Sequence, residues 1–153
     1  MLGGPREAQR EAARGALERV GIGHLAEKGY TNISGGERQL VLIARALAQE
    51  AKVLILDEPT ANLDYGNQLR VMEQVRGLAE AGYTVVQSTH NPEQAFLFSH
   101  QVVAMKNGGV LAMGSPSAVV TEELMEALYG ADIRVCSLYN DRVRVCIPKS
   151  VLP

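Results

Sequence analysis

Residues Asn32–Asp64 read NISGGERQLVLIARALAQEAKVLILDEPTANLD, and two periodicities in that stretch decide the fold. Leu40, Ile43, Ala44, Leu47 and Ala48 recur at i, i+3, i+4, i+7 and i+8, which lays one apolar stripe along a helix beginning at Ser34–Glu37. The helical period then stops. Val53–Asp57 (VLILD) is a continuous aliphatic run ending in a charge, the pattern of a strand buried on both faces, as in a parallel sheet.

Gly66–Ala81 is a second amphipathic helix, with Val71, Met72, Val75, Leu78 and Ala79 on its inner side, and Tyr83–Thr89 (YTVVQST) is the next strand. Strand, helix, strand is a βαβ unit, whose crossover is expected to be right-handed. Toward the N-terminus, Pro5–Val20 reads as a helix stopped by Gly21, and its small, sparse apolar positions predict partial exposure. After His90 the pattern changes. Asn107-Gly108-Gly109 signals a hairpin, Ser115-Pro116 opens helix to about Tyr129, and RVCSLYNDRVRVCIP reads as a second hairpin around Asn140-Asp141.

Composition narrows the class. With 153 residues, 46% hydrophobic and 21% charged residues and a net charge of −2, the chain can bury a core. It lacks the surplus of Lys and Arg that broad nucleic-acid binding needs, so no nucleic-acid partner is expected. The apolar runs are too short to span a bilayer. MLGGPREAQREAARGA has no apolar centre, so a secretory signal is not expected. Cys136 and Cys146 lie in an alternating apolar region without nearby His, which predicts reduced structural thiols in a cytoplasmic protein rather than zinc ligands.

Four places carry polar groups suited to chemistry. Ser34 and Glu37 have capping-box spacing, which alone explains both. It does not explain Gly35 and Gly36, and a helix N-terminus with unobstructed amides also suits a phosphate. Asp57 and Glu58 end a buried strand, where α/β sheets bind ligands. One carboxylate there can hold Mg²⁺ through its water shell while the other polarises a water; taken alone, the pair is explained more readily as a polar strand end entering a turn. His90 ends the next strand and is expected on the same sheet edge. Asn62-Leu63-Asp64 on its own is an Asx-type turn before a helix. His24 and His100 have no such company and read as surface residues.

Taken together, ISGGE (Ile33–Glu37), VLILDE (Val53–Glu58), NLD (Asn62–Asp64) and His90 resemble the signature loop, Walker B strand, D-loop and switch histidine of the ABC-transporter ATPases. LAMGSPSAVVTEELMEALYG (Leu111–Gly130) looks like the tail of the branch that imports iron chelates, haem and cobalamin. The resemblance implies an α/β fold: an incomplete P-loop NTPase (RecA-like) core, with part of the ABC helical subdomain and C-terminal β-hairpins. Residues 1–50 would be the partial helical subdomain and 51–153 the C-terminal part of the ATPase core. ATP and Mg²⁺ would be the cofactors. Asp57 would coordinate Mg²⁺ through water, Glu58 would be the general base, and His90 would contact the γ-phosphate. Ser34, Gly35, Gly36 and Glu37 would close over an ATP held by a second ATPase subunit in a head-to-tail dimer, with Asp64 communicating across the interface. The implied partners are transmembrane permease subunits, with or without a substrate-binding protein, at the inner face of the cell membrane. Glu37 stands where Gln is usual, and Asn91-Pro92 departs from the commoner Asp-Leu.

The resemblance also exposes a gap. G-x-x-x-x-G-K-[ST], whose amides and Lys hold a triphosphate, does not occur: none of Lys28, Lys52, Lys106 and Lys149 follows a Gly. Three readings are open. The chain is the C-terminal portion of an ATPase subunit, with Met1 an internal residue; or a short module that docks on a transporter without hydrolysis; or part of a non-transport member of the superfamily. The isolated chain is expected to be inactive and poorly soluble, with apolar surface uncovered, or to be completed by another chain.

Overall fold

The computed structural model describes residues 7–152. They form two compact units that divide between Ser88 and Thr89. The helix expected from Pro5 is seen from Glu7; Pro5 itself lies outside the described residues.

The first unit contains α1 (Glu7–Arg19), α2 (Gly35–Ala48), β1 (Val53–Leu56), α3 (Tyr65–Glu80) and β2 (Thr84–Gln87). Short 3-10 turns at Gly23–Leu25 and Tyr30–Asn32 occupy the connection between α1 and α2. As the sparse pattern of α1 predicts, its first turns are exposed and burial starts at Ala16. The α2 stripe is realised: Leu40, Ile43, Ala44 and Leu47 are buried, together with Val20, Ile22, Leu25, Leu54, Val71, Val75 and Leu78 in one core. Arg19 at the end of α1 donates to the Tyr83 hydroxyl at 2.8 Å, fixing the entry to β2.

Strands β1 and β2 pair in parallel, Val53 opposite Thr84 and Leu56 opposite Gln87. The ladder continues one bond beyond each end, from the Thr84 amide to the Lys52 carbonyl and from the Ser88 amide to the Leu56 carbonyl. The expectation that β1 is buried on both faces holds for one face only. Leu54 is 2% exposed whereas Ile55 is 80% exposed. Residues alternate across a strand, so α2 and α3 cover the face of Leu54. The face carrying Val53, Ile55 and Val86 has no covering element among the described residues of this unit.

The second unit holds α4 (Pro92–Phe98), the hairpin β3–β4 (Val102–Lys106, Gly109–Gly114), α5 (Pro116–Val119), α6 (Glu122–Tyr129) and the hairpin β5–β6 (Ile133–Leu138, Val143–Pro148). Both hairpins fall where turn chemistry places them. Asn107 and Gly108 adopt the left-handed backbone of a two-residue turn. The single helix expected after Ser115-Pro116 is two. Thr121 accepts the Leu124 amide through its hydroxyl and caps a new helix, so the chain breaks at Val120. Gly130 ends α6 in the left-handed conformation. Cys136 and Cys146 are half-buried and not bonded to each other; burial, then the neighbouring Glu93, pushes the Cys146 thiol pKa up.

Candidate functional site

The start of α2 is built by its own side chains. Ser34 is extended, its hydroxyl accepts the Glu37 amide at 3.3 Å, and Glu37 Oε2 accepts the Ser34 amide at 2.7 Å. This is the reciprocal capping box. Donation from the Ser34 amide and hydroxyl holds the Glu37 carboxyl below the usual carboxylate range, so it is ionised at neutral pH.

The two glycines have a reason inside the chain. A Cβ on Gly36 would lie 2.6 Å from Asn67 Oδ1 and 2.9 Å from Asn67 Cβ, and one on Gly35 would lie 3.3 Å from Leu63 Cδ2. At buried Gly36 a close approach is made by Asn67. Gly35 and Ser34 remain exposed.

Asn67 is fixed from the other side by Asp64. Asp64 caps α3, accepting the Asn67 amide at 2.9 Å on Oδ1 and the Asn67 carboxamide at 2.6 Å on Oδ2. Those bonds hold the Asp64 carboxyl below its usual range. Ser34–Glu37 and Leu63–Asp64 are therefore one packed assembly, joined through Gly36 and Asn67. Asn67 was not picked out from sequence; the Asp-x-x-Asn spacing at a helix start was its one local signal.

Asp57 and Glu58 stand together, exposed, at the C-terminal edge of β1. Ser88, just past β2, meets both. Its hydroxyl donates to Asp57 Oδ1 at 2.5 Å and accepts the Glu58 amide at 2.9 Å. Glu58 itself has φ of 41°, the left-handed region that non-glycine residues rarely enter. Ser88 also escaped the sequence reading; only the parallel register, which sets Gln87 beside Leu56, brings it to the carboxylates.

His90 belongs to the second unit, where it is exposed and its carbonyl accepts the Tyr129 hydroxyl at 2.9 Å. Asn91-Pro92, the departure noted above, starts a helix. Asn91 Oδ1 accepts the amides of Glu93 and Gln94, and Pro92 occupies the first turn, where no amide donor is needed.

The donor set suits a hydrated Mg²⁺. One Asp57 oxygen is held by Ser88, the other can take a metal-bound water, and Glu58 adds an adjacent acceptor. No group of three or more His, Cys, Asp or Glu that could hold a metal ion occurs among the described residues, and Mg²⁺ typically takes one or two carboxylates with substrate phosphates and waters.

The ABC-transporter family model matches residues 5–61. The phosphonates import ATP-binding protein PhnC of Stutzerimonas stutzeri is 39% identical over 146 residues, 95% of this chain and 52% of that protein. The ferric enterobactin transport ATP-binding protein FepC of Escherichia coli K12 is 37% identical over 139 residues, 90% of this chain and 50% of that protein. A solved chain from a transporter described as of the metal-chelate ABC type, in an inward-facing conformation, superposes with a TM-score of 0.84 at 30% identity, covering 99% of this chain and 62% of the other. The chain belongs to the ABC-transporter ATPase family, with the α/β P-loop NTPase fold of those domains. It spans about half the length of the curated relatives it matches.

Proposed function

We propose that the chain is a portion of the ATP-hydrolysing subunit of an ABC importer, the portion that carries the signature turn, the Walker B strand and the D-loop. The observation that carries this reading is the joint placement of an acidic pair at the end of a parallel strand and a signature turn packed on the D-loop through Gly36 and Asn67. Residues 1–50 would supply the signature surface and 51–153 the catalytic carboxylates and switch.

In this reading the Ser34-Gly35-Gly36 turn would close over the γ-phosphate of an ATP bound by a second subunit, with Ser34 and Gly35 the exposed members, and Asp64 would communicate across that interface. Glu37, ionised and committed to the Ser34 amide, orients the turn rather than approaching the phosphate. Asp57 would hold Mg²⁺ through water, and the ion supplies charge neutralisation at the phosphates when bound. Glu58 takes the proton of the attacking water, a contribution of about 10² to 10⁴ in rate. His90 hydrogen-bonds the γ-phosphate.

The 153 residues contain no G-x-x-x-x-G-K-[ST], so the triphosphate is held only when further chain or a partner supplies that loop. ATP turnover by the purified 153-residue chain alone would refute this. With the loop supplied, Glu58→Gln should abolish turnover and accumulate an ATP-bound dimer; unchanged turnover removes Glu58 as the base.

No helix among the described residues is long and apolar enough to cross a membrane. Attachment to the inner membrane face would run through permease subunits. An iron chelate, haem or cobalamin is the proposed cargo. The phosphonates import ATP-binding protein is as similar as the ferric enterobactin transport one, as expected if the permease and any binding protein choose the cargo.

A further inference from the structure

We propose that Ser88 is a positioning residue for the Asp57–Glu58 pair, a hydroxyl clip that sets both carboxylate-bearing residues from the neighbouring strand. The proposal rests on the hydrolytic reading above and adds a residue to it.

The Ser88 backbone is fixed by its own amide, which donates to the Leu56 carbonyl at 2.9 Å and prolongs the parallel ladder. That leaves the hydroxyl to make two contacts at once. A hydroxyl has one proton to give and lone pairs to accept with. Here the proton goes to Asp57 Oδ1 at 2.5 Å, and a lone pair takes the Glu58 amide at 2.9 Å. Amide, hydroxyl and carboxylate form a chain in which each bond polarises the next.

Two consequences follow for the pair. With Oδ1 engaged, the Asp57 carboxylate is turned so that Oδ2 is the oxygen offered to a further donor. At Glu58 the left-handed backbone persists only where surroundings dictate it. The Glu58 amide is held by Ser88, and its carbonyl accepts the Ala61 amide at 2.9 Å. Both peptide groups around its Cα are thus pinned, and the direction in which its side chain leaves the backbone is pinned with them. A general base works from a fixed position relative to the water it deprotonates. Ser88 acts through these two residues, whose carboxylates it positions.

The test compares Ser88→Thr with Ser88→Val in the full chain. The two side chains have the same shape and differ in the hydroxyl, so a packing defect would appear in both. Hydrogen exchange is followed at single-amide resolution by mass spectrometry, with the Leu56 amide as internal control. The expected result is Glu58 exchange about fivefold faster in the Val variant than in the Thr variant, with Leu56 alike in both. Equal Glu58 exchange in the two overturns the clip. Once the phosphate-binding loop is supplied, kcat should be about tenfold or more lower in Val than in Thr, at equal KM for MgATP. Equal kcat overturns the positioning role. Absence of turnover in the parent assembly overturns the hydrolytic reading itself, and the exchange data distinguish that failure from a failed clip.

Discussion

A methyl group at Gly36 would overlap Asn67, whose own position is set by two bonds to Asp64. Gly36→Ala should therefore push the start of α2 off the start of α3 and destabilise the chain by about 1 to 3 kcal/mol, whereas Gly35→Ala, meeting only the tip of Leu63, should cost less. Urea midpoints of the two variants check this, and equal midpoints would mean that the contact constrains nothing. Acid should loosen the same assembly. The Glu37 and Asp64 carboxyls lie below their ordinary values of about 4.3 and 3.9. Their contribution is thus complete above those values and is lost as pH falls through the lower folded-state ones. Glu37→Gln should flatten the acid limb of a stability-against-pH curve, and an unchanged limb would dismiss the capping carboxylate as its source. Ser34 and Glu37 were legible in sequence because a capping box is local, with both partners three residues apart. Asn67 and Ser88 were not, because what makes them matter is a neighbour across the fold: Gly36 for one, the end of β1 for the other. The glycine pair was legible as a close approach but not as an approach by the chain itself.

In the second unit one arginine joins β6 to α4, α5 and the β5–β6 turn. Arg144 on β6 donates to both Asp141 oxygens at 2.7 and 2.8 Å and to the carbonyls of Ser117 and Val120 at 2.7 Å each, and it lies 5.2 Å from the Phe96 ring centre. The β5–β6 turn needs such support. Tyr139, Asn140 and Asp141 all have positive φ, and Ser137 adds a bond to Asp141 at 2.9 Å. Arg144→Lys should lose about 2 kcal/mol, because an ammonium cannot reproduce the planar fork that serves carboxylate and carbonyls together; thermal unfolding that matches the parent would contradict the latch. At the other end of the hairpin, Lys149 reaches Glu122 at 2.8 Å and Glu126 at 2.7 Å, and Arg134 reaches Glu122 at 3.2 Å. Both hairpins were readable from turn residues. The helix break at Thr121 was not, because an apolar helical pattern runs through Val119 and Val120 and competes with the cap. The α4 helix drew no expectation from sequence although Asn91-Pro92 is a sound start signal; its seven residues are too few to establish a period.

On the scale of the chain, the exposed apolar face of β1 and β2 stands out. Val53, Ile55 and Val86 are each more than half exposed, on strands whose aliphatic composition reads as interior. The purified chain should self-associate and bind a hydrophobic dye, and Ile55→Lys should reduce both while leaving the Leu54 side of the core intact. A monomeric, dye-silent parent would show that the face is covered in solution. The sequence reading of β1 as doubly buried went astray for this reason: it described the strand's composition, whereas burial depends on which elements are present to cover it.

The bond between Ser88 and Asp57 joins residues 31 apart, and the one to Glu58 residues 30 apart. Between them lies the whole of α3, so neither can form by local search. Loop-closure entropy must be met before such a contact yields anything in return. The carboxylate pair should accordingly take its final shape late in folding, after the helix has docked and the strands have come into register. Read backwards, the same topology makes that strand edge an early place for the native state to open.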